Sequence, residues 1–419
     1  MMRCAFMWLV ALALSACAQP SGKTVLNVWA VGREGEVIGQ LIPAFERANP
    51  GIEVRIQQLP FTAAHEKLLT AFVGDATPDV AQLGNSWVPE FAALGALEPL
   101  DAAVRASPNI VPGDYFPGVW QSNVVGGKLY GVPWYVDTRL LFYRRDLLAK
   151  AGYDHPPSDW KEWRAQMTAI KKLVGPKRYA TFLPLNEYEP LEVLGLQQDA
   201  PMVTADGHGN FRSPGFKRAL TFYLDTFRGG FAPVAANTQI SNVWDEFDRG
   251  FFSFYITGPW QIGEFQRRLP ANRQHIWATA PMPGPNGPGA SNAGGSSLVV
   301  FAKSRHKAAA WKLIAYLSRT DIQIRFHALT GDLPPRRSAW TAPSLKNDRY
   351  AQAFADQLTR AKPTPAIPEW ERIATEMRLV AEAAAHGRMT VDEAAAEMDA
   401  RADAILAKRR WMLARGKAL

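Results

Sequence analysis

Residues 24–83 read TVLNVWAVGREGEVIGQLIPAFERANPGIEVRIQQLPFTAAHEKLLTAFVGDATPDVAQL. Thr24–Ala30 is β-rich and alternates, and Gly32 and Gly35 break it. Val37–Ala48 then places Val37, Leu41 and Phe45 at helical spacing, closed by Asn49-Pro50-Gly51. Ile52–Leu59 alternates apolar and polar residues as a second strand would. Ala63–Gly74 turns helical again, with Leu68, Leu69 and Phe72 on one side, and Asp79–Leu83 is a short strand. This strand–helix alternation predicts an α/β lobe, in which binding groups gather at the C-terminal ends of the strands.

Working outward, the pattern changes from Asp159 to longer helices, at Trp160–Leu173, Gly215–Phe227 and Val243–Gly250. A strand-like Phe251–Thr257 follows them. A Pro/Gly loop, Pro281–Gly289, precedes another predicted strand, Ser297–Ala302, and a helix, Ala308–Leu317. The tail from Glu369 carries Ala, Glu and Arg at helical spacing, broken at Gly387. No internal repeat has a solenoid period, and no Pro- or Ser-rich linker cuts the chain. Two lobes joined by several crossings fit this pattern better than separate beads.

The chain has 419 residues, 47% of them hydrophobic and 21% charged, which excludes disorder as the main state. That length predicts two or three domains at roughly 100–200 residues each. The two cysteines, Cys4 and Cys17, stand at the extreme N-terminus, so the folded body has neither a disulfide framework nor a cysteine zinc site. A formal net charge of +8 would suit nucleic acid if it were clustered, but acids are interspersed throughout and no nucleic-acid partner is expected. Residues 1–17, MMRCAFMWLVALALSAC, place Arg3 before an apolar run, Ala5–Leu14, and then small residues. That is a secretory signal layout, too short to span a membrane. Leu14-Ser15-Ala16-Cys17 resembles the lipobox of bacterial lipoproteins, whose cysteine thiol receives a diacylglyceryl group. The expectation is a signal peptide over 1–16, lipidation at Cys17 and a tether over 17–23; the alternative is an ordinary signal peptide cut near Ala16 or Ala18. Either way the body is exported, and the lipobox places it in the periplasm, anchored to the membrane.

Phosphate-loop, HExxH, GxSxG and dinucleotide-binding motifs are all missing. The seven histidines (65, 155, 208, 275, 306, 327 and 386) have no ligand spacing, so no metal and no cofactor are expected. Fourteen tryptophans are a large stock, and Trp87, Trp134 and Trp260 stand beside turn residues. An aromatic ring covers the apolar C–H face of a pyranose, while carboxylates, amides and arginines bind its hydroxyl rim. The same tryptophans could equally be core or lobe-interface packing. Paired acids raise the alternative of a glycosidase: Glu187 and Glu189 flank Tyr188, and Asp245, Glu246 and Asp248 lie on a helix. That chemistry needs two carboxyls about 5 to 9.5 Å apart across a cleft, a geometry that alternate loop residues rarely provide.

Eight segments carry a family resemblance: VLNVWAVG (25–32), FERANPGIEV (45–54), TPDVAQLGNSWVPEFAALGALEPLD (77–101), YGVPWYVDTRLLFYRRDLLAKAG (130–152), PPSDWKEW (156–163), FYITGPWQIGEF (254–265), LTGDLPPRRSAW (329–340) and GRMTVDEAA (387–395). In this order, behind a lipobox, they resemble the family 1 sugar-binding lipoproteins of bacterial ABC importers, the maltose- and trehalose-binding proteins among them. The resemblance implies an α/β, two-lobe periplasmic-binding-protein fold of type II kind, with hinge crossings and a ligand cleft between the lobes. It places the crossings near Asp137–Leu141, Ala293–Leu298 and Ser338–Ala342, giving an N-terminal lobe of 24–137 plus 295–339 and a C-terminal lobe of 139–293 plus 342–419.

Carried over by position, the resemblance implies ligand contacts from Arg33 and Glu34 after the first strand and from Asn85, Ser86 and Trp87 after the third. In relatives a sugar-binding acid often occupies the latter loop; it is missing here. Asp137 matches an acid at the first crossing, where hinge capping is the competing role. Tyr188 matches a second-lobe aromatic, Trp260 the stacking tryptophan of a Gly-Pro-Trp turn, and Gly294 and Gly295 a hinge pair whose bare backbone can approach ligand. Arg336 matches the arginine of an L-P-x-R turn, and Trp370 a further aromatic. The implied function is capture of an oligosaccharide, such as the disaccharides trehalose or maltose, by a monomer that hands it to membrane permease subunits without chemistry. A glycerol-phosphate-type binder, a secreted glycoside hydrolase and a receptor serving a sensor remain as alternatives.

Overall fold

The computed structural model describes residues 22–416, so the predicted signal peptide, Cys17 and most of the tether lie outside the described residues. The chain opens with β1 (Thr24–Val31), whose Leu26, Val28 and Ala30 point into the core. Beyond it α1 (Gly32–Val37) begins at Gly32, which has φ +58°, so this glycine does not merely break the strand but turns the chain into a helix. The expected helix Val37–Ala48 is split: a 3₁₀ turn over Ile38–Gln40 precedes Ile42–Ala48. Pro43 explains the split, since it cannot donate back into a preceding turn but is tolerated at the start of a new helix. Next come β2 (Ile52–Leu59), α2 (Phe61–Val73) and β3 (Val80–Gly84).

β1 and β2 pair in parallel, as do β1 and β3. The sheet is completed by β4 (Val132–Asp137) and, from far along the chain, by the strand Gly294–Val300, which runs antiparallel between β3 and β4. From Asp137 the chain passes within three residues into a second sheet. There β5 (Leu140–Arg144) lies between Trp277–Ala280 and Phe254–Thr257, with Thr181–Phe182 at the edge. In chain order we name these three β6 (Thr181–Phe182), β7 (Phe254–Thr257) and β8 (Trp277–Ala280), and the returning strand β9 (Gly294–Val300). β7 is shorter than the Phe251–Thr257 expected. The loop Pro281–Gly289 contains a tight hairpin pairing Pro283 with Pro288. β9 starts three residues earlier than the apolar pattern of Ser297–Ala302 suggests, because Gly294-Gly295-Ser296 carries no hydrophobic signal.

Helices α3 (Glu189–Leu196), α4 (Pro214–Arg228), α5 (Trp260–Arg268), α6 (Trp370–Ala385) and α7 (Val391–Leu413) complete the second half. One core lies beneath the first sheet around Leu26, Val28, Ile38 and Trp134; another is built by α3, α4, α6 and α7 around Trp163, Phe216 and Trp370. A third cluster joins Phe116, Val119, Val136 and Leu333 to Phe142, Tyr255 and Trp277, binding the two sheets together at the crossings. Trp134, read as a turn tryptophan, is 1% exposed and stacks on Phe326 with ring centroids 4.4 Å apart. It belongs to the core.

Candidate binding cleft

The ends of β1, β3 and β4 on one side and the start of α3 and α5 on the other enclose a cavity of about 920 Å³. From the first half it is lined by Glu34, Phe61, His65, Trp87 and Asp332, and from the second by Glu187, Tyr188, Glu189, Glu192, Trp260 and Glu371. Asp137, Arg139, Gly294 and Gly295 form the floor between them. A groove of similar size near Trp160 and Phe222 is lined by Arg164 and Lys217, which pair with Asp225 and Asp392, and by Arg218 and Lys362.

Arg139 organises the floor. Only 7% exposed, it sends Nη1 to Asp137 Oδ1 at 2.5 Å and Nη2 to Glu189 Oε1 at 2.8 Å, and its guanidinium lies 4.7 Å from the Trp260 ring centroid. One cation therefore ties the end of β4 to the start of α3 and holds the indole of α5. Burial holds the Asp137 carboxyl above the usual carboxylate range although Arg139 pulls it down. Trp260 is 42% exposed, unusual for so large an apolar ring, and it packs over Gly258, where an added Cβ would stand 1.9 Å from the indole.

On the second-half wall Tyr188 donates its hydroxyl to Glu371 Oε2 at 3.1 Å, and Asn237 donates to Glu187 at 2.9 Å. Glu192 is 1% exposed and accepts from Trp370 Nε1 at 3.2 Å; burial, with Glu189 and Glu371 nearby, raises its carboxyl to about 8. On the opposite wall His65 meets Glu90 at 2.7 Å, a contact that raises the imidazole, and its ring lies 5.1 Å from Trp87. Phe61, 62% exposed, extends that aromatic platform.

Of the residues the resemblance nominated, Glu34, Asn85, Ser86, Trp87, Asp137, Tyr188, Trp260, Gly294 and Gly295 line this cavity, and Arg33, Arg336 and Trp370 do not. Arg33 points to solvent and pairs with Glu36. Arg336 is 9% exposed, does not line the cavity and is held away from it by Asp114, Asn109 O and Ser318 O. Trp370 lies beneath the wall, supporting Glu192, while its neighbour Glu371 reaches the cavity. Asn85 lines the cavity with its amide already committed: Nδ2 donates to Gly294 O and Oδ1 accepts from Ser297. The bare backbone of Gly294 and Gly295 serves strand packing, since a Cβ there would lie 2.5 Å from Asp137 O and 2.3 Å from Tyr135 O.

Sequence reasoning overlooked Arg139, Asp332, Glu371, Glu192, His65 and Phe61. It noticed Glu187 and Glu189 only as a possible hydrolytic pair, yet one is bound to Asn237 and the other to Arg139. Asp245 and Asp248 lie outside the cavity; Asn242 holds Asp245, and Arg273 holds Asp248. Among the described residues no three His, Cys, Asp or Glu side chains are placed to hold a metal ion, and no helix is long and apolar enough to cross a membrane.

Two α/β lobes with an aromatic and acidic cleft between them define a two-lobe binding protein. Residues 29–324 match the family described as bacterial extracellular solute-binding protein, and the chain belongs to that family. Among solved structures, the sugar-binding protein MalE from Xanthomonas citri superposes with a TM-score of 0.91 at 55% identity, covering 93% of this chain and 99% of the other. A binding protein of Brucella abortus is 28% identical over 404 residues, 96% of each chain. The galactooligosaccharide-binding protein of Bacillus subtilis is 24% identical over 411 residues, 92% of this chain and 93% of its own. The chain is thus a solute-binding protein of the MalE type, in the class that serves ABC importers, and not an enzyme.

Proposed function

We propose that this protein captures a neutral oligosaccharide, in the simplest case a disaccharide such as trehalose or maltose, and delivers it to the permease subunits of an ABC importer. The observation that carries this reading is Trp260: an indole left 42% exposed at the mouth of a cavity walled by carboxylates. The ring suits the C–H face of a pyranose, and the carboxylates suit its hydroxyl rim. A cavity of about 920 Å³ accommodates more than a monosaccharide. The sugar-binding and galactooligosaccharide-binding names of the relatives support the same class.

The glycerol-phosphate alternative meets an electrostatic objection. Glu34, Asp137, Glu187, Glu189 and Glu371 line the cavity, whereas its cations are already engaged, Arg139 with Asp137 and Glu189, Arg378 with Glu382 and His65 with Glu90. A phosphate ester placed there would meet mostly like charge. In this reading the lobes, 24–137 plus 295–339 and 139–293 plus 342–419, close about the crossings on a ligand that contacts both, and ligand favours the closed state by its additional contacts there. Lipid on Cys17 would keep the monomer beside its permease.

The test is a thermal-shift screen of residues 18–419 against trehalose, maltose, sucrose, longer maltodextrins, galactooligosaccharides and glycerol-3-phosphate. A ligand at a hundred times its Kd stabilises the native state by about 2.7 kcal/mol. A concentration-dependent rise with a neutral sugar is the expected result. A rise with glycerol-3-phosphate alone would overturn the reading.

A further inference from the structure

Helix α2 buries Ala64, Leu68 and Ala71. Phe61 stands one and two turns before Ala64 and Leu68, so it belongs to that same inward stripe. What lies in front of it is the cavity and not the core, and the ring is left 62% exposed. A large apolar side chain on the inward stripe of a helix, with no core to cover it, is a surface prepared for something else. Trp87 continues this surface. Its ring lies over Gly84 at the end of β3, where an added Cβ would stand 3.3 Å from the indole, and its centroid is 5.7 Å from that of Phe61. From behind, Trp87 packs against Leu59 and Ala64. His65, the next turn of α2, meets the Trp87 ring edge-on at 5.1 Å and Phe91 at 5.9 Å, and Glu90 holds its imidazole at 2.7 Å. The platform is therefore fixed before any ligand arrives. Thr62 and Ser86, adjacent in sequence to the two rings, line the cavity with them.

We propose that Phe61 and Trp87 form a second sugar subsite, which takes a pyranose unit beyond the one stacked on Trp260 and makes Phe61 a determinant of ligand length. The inference rests on the sugar-binding reading. Trp260 enters the same cavity from α5 in the other half of the molecule, so the two aromatic surfaces belong to opposite walls. A single pyranose leaves much of a cavity of about 920 Å³ unfilled, whereas two linked units reach both surfaces. The C–H face of the second unit covers the Phe61 and Trp87 rings, and the hydroxyls of Thr62 and Ser86 are at hand for its rim. Contacts on both walls are also what lets a ligand favour the closed state, so the longer sugar gains more from closure than a monosaccharide does.

Calorimetry with whichever of maltose, trehalose and a galactooligosaccharide binds in the screen tests this, with glucose as the one-unit probe. Phe61→Ala is expected to weaken the longer sugar by about tenfold, the loss of one stacking face. Its Tm should stay within about 1 °C of the wild type, because the ring is mostly exposed. Phe61→Tyr keeps the face and should bind within about threefold of the wild type, whereas Phe61→Leu, apolar but without a ring, should fall with alanine. Glucose should lose less than about threefold in Phe61→Ala. An unaltered affinity for the longer sugar in Phe61→Ala, a leucine variant that binds as the wild type does, or an equal loss for glucose and the longer sugar would each overturn the second subsite and leave sugar binding in place. Failure of every neutral sugar to bind the wild type would instead end the sugar-binding reading, and this subsite with it.

Discussion

Replacing Arg139 with methionine keeps the aliphatic stem and removes the charge. Asp137 and Glu189 then lose their common partner, with 25% and 21% of their side chains exposed. Breaking a buried ion pair from one side costs about 3–5 kcal/mol, and the partial access of water to both carboxylates puts this case near ~3 kcal/mol. With an unfolding entropy of about 2.1 cal/mol/K per residue over about 400 residues, a single transition would move down by roughly 4 °C. The loss has a defined pH dependence. Asp137 already stands above the usual carboxylate range, and without the guanidinium it rises further. A raised carboxyl weakens the fold wherever it is ionised, and the penalty is relieved as pH falls through the folded-state value. Differential scanning calorimetry should therefore show a larger Tm deficit near pH 8 than near pH 5. Equal deficits at the two pH values, or a change under about 1 °C at pH 8, would refute the ion-pair account of the cleft floor.

Trp260→Ala should weaken sugar binding strongly while leaving Tm nearly unchanged, because covering about 100 Å² of combined ring and sugar surface at ~25 cal/mol/Å² amounts to about 2.5 kcal/mol; an unaltered Kd would remove Trp260 from the site. Gly258→Ala should displace the indole, since its Cβ would stand 1.9 Å from the ring, and should weaken binding by no more than Trp260→Ala does, as calorimetry would show. Arg336→Met should lower stability by about 3 kcal/mol, measured by denaturant unfolding, with Kd unchanged within about threefold, because it strips partners from Asp114 and two carbonyls outside the cavity. Burial raises the Asp114 carboxyl, but hydrogen bonds from Ser338 and Arg336 hold it below its usual value, so the stability these contacts contribute in the wild type is present at neutral pH and disappears as pH falls through the lowered value.

What the amino-acid order determined by itself is the set of local elements and the family. Alternation over Ile52–Leu59 and helical spacing over Trp160–Leu173 report one-sided burial, which depends on near neighbours in sequence, and the observed β2 and the helix Trp160–Val174 match those readings closely. The Gly-Pro-Trp turn likewise puts Trp260 at the head of a helix facing the cavity. Motif matching could not say which of two adjacent residues faces inward. At Trp370-Glu371 it nominated the tryptophan, whereas one step of helical rotation brings the acid to the ligand side and leaves the ring in the core. At Arg336 it saw a charge but not Asp114, which satisfies it from far along the chain.

Only the tertiary structure could assemble the cleft. Arg139 meets Glu189 and Tyr188 meets Glu371 across sequence separations that no periodicity spans. Such meetings are decided when strands far apart in the chain pair side by side, as β9 does between β3 and β4. Burial also raises the Glu192 and Asp137 carboxyls, because removal from water penalises charge by an amount that depends on the whole surrounding wall and not on the residue's neighbours in sequence.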